Sequence, residues 1–173
     1  RDIDAHFRQL DCSRLETIAP VLTQSQEAFG VPSCIIYNTC TITPDTLETA
    51  DALHWPSRFS GDVAGALVTA QTLCTEQFAR RNGALLLTGG IAGIHALRGY
   101  LSLCVDKAAL RMLAFCLHDD LKAKGIFAGI VQIATAIDWN SRQGDPMRIA
   151  AFFRRFHEQR NSWEVIYTGE EQC

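Results

Sequence analysis

The sequence predicts an α/β protein whose parallel sheet carries helices on both faces, and two observations support this fold class. Short apolar runs such as "PSCIIYN" and "GALLLT" have the length of strands and lack the alternating polar residues of a half-exposed strand. Between these runs, apolar residues recur at helical spacing. Alternation of buried strands with amphipathic helices is typical of a doubly wound parallel sheet.

The individual elements can be placed along the chain. "CSRLETIAPVLTQSQEAFG" predicts a helix that ends at Gly30, with Pro20 as a possible kink. "TCTITPDTLETADALHW" predicts a loop, and "DPMRIAAFFRRFHEQ" a short amphipathic helix with Pro146 at an early position. We expect parallel strands, adjacent in chain order, near 33–38, 84–88, 126–133 and 163–167. We expect two long helices near 60–81 and 101–124.

Composition limits the class of protein. The 173 residues are enough for one domain over 1–173, and 47% hydrophobic with 20% charged residues is typical of a globular chain. The net charge of −3 gives no general attraction to nucleic acid or to anionic membranes. No apolar run reaches the roughly 18 residues that a membrane span needs. We therefore expect neither a nucleic-acid partner nor a membrane partner.

The cysteines predict free thiols. There are seven of them, an odd number, and none forms a Cys-x-x-Cys pair. Cys74 and Cys116 lie within apolar runs, as buried thiols do in a reducing compartment, and we expect a cytoplasmic location. The five histidines are scattered, so the sequence predicts no metal site.

The segment "LLLTGGIAGIH" allows two interpretations. A strand followed by glycines is typical of a dinucleotide phosphate loop, in which the backbone approaches a pyrophosphate at a helix N-terminus. However, His95 stands where the third glycine is expected, and the next strand ends in Ala134 and Thr135 without an acidic residue for a ribose hydroxyl. A plain strand-to-helix loop that lines a ligand site is the favoured interpretation.

Taken together, these segments resemble the second part of a short-chain dehydrogenase/reductase, from "QLDC" to the end of the chain. "IIYNTC" is similar to the family's Asn-Asn-Ala-Gly segment, with Tyr37 and Cys40 as departures. "GALLLTGGIAG" resembles the strand and loop that carry the catalytic serine, and "YLSLCVDKAALRMLA" the Tyr-x-x-x-Lys helix. "GIFAGIVQIATAI" resembles the sixth strand and its Pro-Gly loop. The resemblance implies a Rossmann-like fold and an NAD(P)-dependent oxidoreductase acting on a small-molecule substrate.

The resemblance also implies a damaged catalytic site. In the family a tyrosine exchanges the proton, a lysine four residues later lowers its pKa and holds the nicotinamide ribose, a serine orients the substrate and an asparagine supports the lysine. Here the lysine is Lys107, but the other three positions hold Leu103, Gly90 and Asp62. Three functions are therefore open: an oxidoreductase of altered mechanism, a cofactor-binding protein without turnover, or a structural partner.

Several residues are candidates for the site that the resemblance implies. Tyr100 could replace the missing catalytic acid or simply pack, and Lys107 could hold the cofactor ribose or be a solvated helix lysine. Asp11 matches an aspartate that contacts the adenine ring, or it caps a helix. Asn38 could line the cofactor cleft or end a strand, and Thr135 lies in the loop that binds the cofactor.

The predicted substrate pocket lies around the same strand ends. It comprises Gly90 at the serine position, Tyr100, and the aromatic residues Trp139 and Phe152 after the sixth strand, where the family has its substrate lid. Aromatic residues in this part of the chain could equally belong to the core.

The family's first strand and Gly-rich turn have no counterpart before Asp11. We therefore expect the chain to be part of a longer protein, lacking the N-terminal strands and cofactor loop. The binding of NAD or NADP would depend on that segment, because the turn cradles the pyrophosphate.

The two long helices predict assembly. Helix 60–81 carries Val63, Ala66, Ala70 and Leu73, and helix 101–124 carries Leu110, Met112, Leu113 and Phe115, which is more apolar surface than one sheet face requires. In the resembling family these helices pair with their copies across a two-fold axis. We expect a homodimer or homotetramer built through helices 60–81 and 101–124.

Overall fold

The computed structural model describes residues 4–170 and contains one parallel sheet, with its strands adjacent in chain order. The four strands are β1 (Cys34–Tyr37), β2 (Ala84–Gly90), β3 (Phe127–Ile133) and β4 (Glu164–Tyr167). Cys34 pairs with Ala84, and Ala84 in turn pairs with Phe127, so β1, β2 and β3 start at the same level. The predicted strands, their order and their parallel direction are confirmed.

The two apolar faces of β2 explain why its sequence does not alternate. Leu85 and Leu87 point into a core under the first layer of helices, whereas Ala84 and Leu86 point into a second core on the opposite face. Both sets are buried, so every position of the strand favours an apolar residue. The predicted doubly wound arrangement, with helices on both faces, is confirmed.

Six α-helices flank the sheet within residues 4–170. They are α1 (Leu15–Phe29), α2 (Trp55–Phe59), α3 (Gly65–Leu73), α4 (Glu76–Arg80), α5 (Leu101–Lys122) and α6 (Pro146–Gln159). α3, α4 and α5 cover the first core, and α6 covers part of the second. Beside α6 an apolar groove of about 430 Å³ runs along the sheet, lined among others by Ile36, Leu86, Ile133 and Phe153.

Several element ends follow from sequence signals. α1 continues through Pro20, and it ends before Gly30, which has a positive φ of 85°. α6 starts with Pro146 behind Asp145, whose carboxylate accepts the backbone N–H of Met147. The segment predicted as a loop, between β1 and α2, contains no helix or strand apart from an isolated bridge at Asp45.

The helix predicted over 60–81 is the main difference. Ser60–Ala64 forms a π-helical turn between α2 and α3, and the chain leaves the helix again at Cys74. Thr75 then caps α4, because its hydroxyl accepts the N–H of Phe78. The apolar stripe continues through both the π-helical turn and the break at Cys74, so it did not reveal them. Both depend on local backbone hydrogen bonds.

The π-helical turn is tied to β1 by Tyr37. The hydroxyl of this buried residue donates to the backbone carbonyl of Gly61. A Cβ atom on Gly65 would overlap the same hydroxyl, so the close approach requires glycine. Burial raises the pKa of Tyr37 to about 12, which keeps this hydroxyl a hydrogen-bond donor.

The apolar surplus expected on the first long helix is absent. Val63, Ala66, Ala70 and Leu73 are all buried, and they fill the space between α3, α5 and the sheet. The helix contributes only a partly exposed Leu67 to the surface. On α5, by contrast, the exposed apolar residues include Val105, Met112 and Phe115.

The six cysteines between residues 4 and 170 are free thiols, and Cys173 lies outside the described residues. Cys74 is buried as predicted, but the prediction for Cys116 is wrong, because this thiol is exposed on α5. In the same part of the chain, no helix is both long enough and apolar enough to cross a membrane.

Candidate functional site

The carboxyl ends of β1, β2 and β3 meet the first turns of α5, and Lys107 lies at this junction. Its residue is only 5% exposed, and its Nζ donates to the backbone oxygen of Thr88 over 2.9 Å. Gly93 allows the close contact between loop and helix, because a Cβ there would lie 2.6 Å from the carbonyl oxygen of Lys107. Lys107 is thus a buried, oriented ammonium group and not a solvated helix lysine.

The thiol of Cys40 is a direct neighbour of this ammonium group. Burial raises the pKa of Cys40, while the charge of Lys107 and a hydrogen bond from it act to lower the pKa. The residues on either side of Cys40 are fixed to the π-helical turn: Thr39 Oγ1 donates to Gly61 O over 2.7 Å, and Thr41 N donates to Asp62 Oδ1 over 3.0 Å. The loop after β1 therefore presents this thiol in a defined place.

A buried charge cluster lies behind the lysine. Asp106 has no exposed surface, and it accepts from Arg58 Nε over 2.7 Å and from Trp55 Nε1 over 2.8 Å. The same Arg58 Nε lies 3.7 Å from Asp62 Oδ2, at the position that corresponds to the family's asparagine. Burial raises the pKa of Asp106, whereas the hydrogen bonds from Trp55 and Arg58 oppose that rise. We name Arg58, Asp62 and Asp106 the carboxylate–arginine cluster.

Asp45 fixes the start of α5. Its buried carboxylate accepts the backbone N–H of Ser102 over 3.1 Å and also the Ser102 hydroxyl. Although burial acts to raise the pKa of Asp45, these hydrogen bonds hold it below its usual value. An anion at a helix N-terminus is favourable, so the loop before α2 anchors the helix that carries Lys107.

The positions of the family's proton-exchanging tyrosine and substrate-orienting serine hold no protic side chain. Leu103, one turn before Lys107, is 7% exposed and packs in the interior. Gly90 ends β2 in extended conformation, and a Cβ there would meet only Ile133 O at 3.9 Å. A serine would therefore fit at Gly90 without rearrangement.

Other predicted site residues lie around the same strand ends. Tyr100 is half-buried directly before α5, and it forms a backbone bridge with Asp45. Asn38 is exposed just after β1 and lines the apolar groove together with Thr88. Thr135 is half-buried after β3, where its hydroxyl donates to Ala136 O over 3.3 Å.

Asp11 lines a separate cavity of about 450 Å³ together with Cys12, Cys40, Arg58 and others. Its Oδ1 accepts the backbone N–H of Ser13 over 3.0 Å and so organises the turn before α1. The hydrogen bonds from Ser13 lower the pKa of Asp11. Asp11 is not the N-cap of α1, because that position belongs to Arg14.

The two aromatic residues of the predicted substrate pocket are not near Lys107 in any described cavity. Trp139 is 73% exposed on a turn after β3. Phe152 packs edge-on against the ring of Tyr167, with 5.2 Å between the centroids. Their assignment to a substrate pocket stays a prediction.

The glycine-rich segment does not lead into a helix. Gly90 ends β2, Ile91–Gly93 forms a single 3₁₀ turn, and α5 begins only at Leu101. Among residues 4–170, no long helix begins directly at these glycines, and the segment connects β2 to α5 as a strand-to-helix loop. Its role in lining a ligand site stays a prediction.

Sequence reasoning did not find Arg58, Asp106 or Asp45. One signal was present, since Arg58 stands four residues before Asp62 and so shares its side of a helix. The contact with Asp106 spans 48 positions, and no local pattern can show it.

No protein-family model and no curated protein sequence matches the chain. Solved structures do. A short-chain dehydrogenase from Streptomyces avermitilis is 20% identical with a TM-score of 0.82, over 92% of this chain and 68% of that protein. An alcohol dehydrogenase from the archaeon Thermococcus sibiricus, complexed with 5-hydroxy-NADP, is 14% identical with a TM-score of 0.80, over 96% and 75%.

A metagenomic short-chain oxidoreductase in complex with NADP is 16% identical with a TM-score of 0.73, over 92% of this chain and 72% of its own. These identities are too low to carry a function across, but the agreement of the coordinates covers nearly every described element. The resemblance that the sequence predicts is confirmed for the fold: the chain has the fold of the short-chain dehydrogenases/reductases.

Proposed function

We propose that this chain holds the nicotinamide half of the cofactor of an NAD(P)-linked oxidoreductase, with a degenerate site for proton transfer. The observation that carries the proposal is the buried ammonium group of Lys107, 2.9 Å from Thr88 O at the carboxyl end of β2. Ligands of open α/β sheets bind at that edge, outside the ends of the strands.

The residues present fit a dinucleotide in part. Lys107 has further N–H groups beyond the one bonded to Thr88, and ribose hydroxyls are suitable acceptors for them. Asn38 and Thr135 flank the same strand ends, and the Asp11 cavity has room for a ring system beside the loop after β1. When bound, the cofactor would supply the hydride, and the protein would supply position and charge.

The same geometry argues against fast turnover. Neither Leu103 nor Gly90 can transfer a proton or orient a substrate oxygen by a side chain, and a well-placed general acid contributes about 10²–10⁴ in rate. We therefore propose a slow oxidoreductase, or a protein that binds the cofactor without turning it over. The free thiols support a reducing, cytoplasmic location.

Calorimetric titration of the full-length gene product with NAD⁺, NADH, NADP⁺ and NADPH tests the proposal. We expect binding of at least one of them and a roughly 10- to 100-fold loss of affinity in Lys107→Met, because a hydrogen bond from a charged group is removed. Lys122→Met is the matched control, since this lysine is exposed in the last turn of the same helix. Absence of heat with all four nucleotides would refute the proposal.

A second candidate function is assembly, and the exposed apolar side of α5 favours it. Met112 is 59% and Phe115 is 41% exposed, and Phe115 contacts Trp163 with 5.1 Å between the ring centroids. We propose that α5, together with Leu67 of α3, pairs with its copy across a two-fold axis in a homodimer or homotetramer.

Light scattering decides this second candidate. We expect a mass at two or four times the 19.1 kDa of the chain, reduced to the monomer in Met112→Glu. Leu53→Glu is the control, because Leu53 is equally apolar and more exposed but lies in the loop before α2. A monomeric wild type, or an oligomer that tolerates Met112→Glu, would rule out this interface.

A further inference from the structure

Cys40 differs from the other thiols because of the groups around it. It is exposed, and the charges of the buried Lys107, of Asp62 and of Arg58 all act on its thiol. At the corresponding position the resembling family has the glycine of its Asn-Asn-Ala-Gly segment, which has no side chain. Cys40 therefore places a reactive sulfur atom at a position where the resembling family has only backbone atoms.

The surroundings of Cys40 provide room for a covalent adduct. Its side chain lines the cavity of about 450 Å³ that also contains Asp11, a second thiol, Cys12, and the guanidinium group of Arg58. Arg58 Nη2 is buried and has no hydrogen-bond partner among the described residues. The cavity thus combines two thiols with space for several heavy atoms.

We propose that Cys40 is a covalent modification site at which low-molecular-weight disulfides cap the thiol, and that the cap excludes a dinucleotide from this cleft. The second half of the inference rests on the proposed function. In the reaction the Cys40 sulfur attacks one sulfur of the reagent, whose S–S bond breaks. The Cys40 proton passes to solvent, and one equivalent of free thiol leaves.

Two opposing effects set the rate of this reaction. Although the residue is exposed, the protein packed around part of the thiol raises the pKa of Cys40, so capping is slow at neutral pH and accelerates with rising pH. The neighbouring charge of Lys107 favours the thiolate and moves this acceleration to lower pH. Removing the cation should therefore slow the capping, while Lys107→Arg should preserve it.

The first experiment measures capping by cystamine at pH 8 on the full-length protein, with peptide mass spectrometry. Cys116, an exposed thiol on α5, serves as internal control in every sample. We expect Cys40 capping to be at least several-fold slower in Lys107→Met than in wild type or Lys107→Arg, with Cys116 unaffected. Equal rates in all three proteins, or a Cys40 that stays free while Cys116 is converted, would overturn the modification site.

The second experiment measures the affinity for NADH before and after capping. We expect at least a tenfold loss that dithiothreitol reverses, and we expect NADH to protect Cys40 but not Cys116. Cys40→Ser, treated in the same way, should keep the affinity that it had before treatment. Unchanged affinity of the capped wild type would overturn the exclusion. A protein that binds no NADH before treatment would instead refute the proposed function, and the first experiment would still decide whether Cys40 is the site.

Discussion

Lys107 and Leu103 lie one helical turn apart on α5, and their surroundings differ. Around Lys107 the buried charged groups are hydrogen-bonded: its ammonium donates to Thr88, and the neighbouring Asp106 accepts from both Trp55 and Arg58. Leu103, which is apolar and buried, stands at the position of the resembling family's tyrosine, and Gly90 stands at the position of its serine.

The difference separates the groups of the site that the stability of the fold requires from those that it does not. Asp106 and Lys107 are charges inside the protein, and losing one partner of a buried pair leaves an uncompensated charge that destabilises the folded state. The positions of Leu103 and Gly90 are not constrained in this way. A proton donor at the edge of a cleft contributes to the rate of catalysis and little to the stability of the fold. A change at Leu103 or Gly90 therefore need not disturb the buried charges of the same helix.

Breaking the framework should have the largest effect. Arg58→Met leaves Asp62 and Asp106 buried without their cation and should lower the free energy of unfolding by about 3–5 kcal/mol. Arg80→Met removes an exposed pair with Glu76 and should cost under about 0.5 kcal/mol. Urea unfolding measures both. Similar losses in the two variants would show that the carboxylate–arginine cluster is no more important than a surface pair.

Restoring the chemistry is the next test. Leu103→Tyr combined with Gly90→Ser should raise the reduction of small ketones and aldehydes about 100-fold or more over a slow wild type, because it returns the acid and the orienting hydroxyl. The control is Leu103→Phe with Gly90→Ala, which adds similar volume without protic groups. Equal rates in the two double variants would mean that the cleft no longer positions a substrate.

A third test asks whether an ion pair that is only partly buried also contributes to the stability of the fold. On the other side of α5, Arg111 binds Glu164 through two hydrogen bonds of 2.6 and 2.7 Å, and this bond lowers the pKa of Glu164 from its ordinary 4.5. Glu164→Gln should cost roughly 1–2 kcal/mol at pH 7.

The sign of the pH dependence follows from the direction of that shift. A carboxyl whose pKa is lower in the folded state stabilises the protein above its unfolded pKa, and this contribution disappears as the pH falls through the folded pKa. The difference between wild type and Glu164→Gln, measured by urea unfolding, should therefore shrink below pH 4.5. A difference that is constant from pH 7 to pH 3 would contradict the assignment.

The smallest effect is expected at Tyr100, the candidate substitute for the missing acid. Because it lies before the first turn of α5 and not one turn from Lys107, its hydroxyl is less well placed. Tyr100→Phe should lower the residual turnover by roughly fivefold, well below the contribution of a well-placed general acid. Steady-state rates decide the point. A fast wild type that is indifferent to this change would place the chemistry elsewhere.

Much of the fold could be predicted, because it depends on patterns that are local in sequence. Continuous apolar runs identified β1 to β4, and their parallel order followed from the intervening helices. The interruption of the helix at Cys74 was missed because its apolar stripe continues through the break. The π-helical turn was missed because nothing in its own stretch of sequence marks it, and its contact with the hydroxyl of Tyr37 joins it to another element.

The candidate site could be predicted less well. Lys107 was found by its neighbours in sequence, but its burial and its bond to Thr88 depend on how α5 crosses the sheet. The partners of Asp106 and Ser102 lie about fifty positions away, and two of them, Trp55 and Asp45, belong to the segment predicted only as a loop. Trp139 and Phe152 were assigned to a pocket by their place in the chain, which does not determine where their side chains point.

The contact between Tyr37 and Gly65 has a consequence for evolution. The hydroxyl occupies the space that any side chain at position 65 would need. The two positions should therefore change together, so that lineages with a large residue at 37 retain glycine at 65, and lineages with a small residue at 37 are free to lose it. A sequence profile of relatives of this chain should therefore score the two positions jointly.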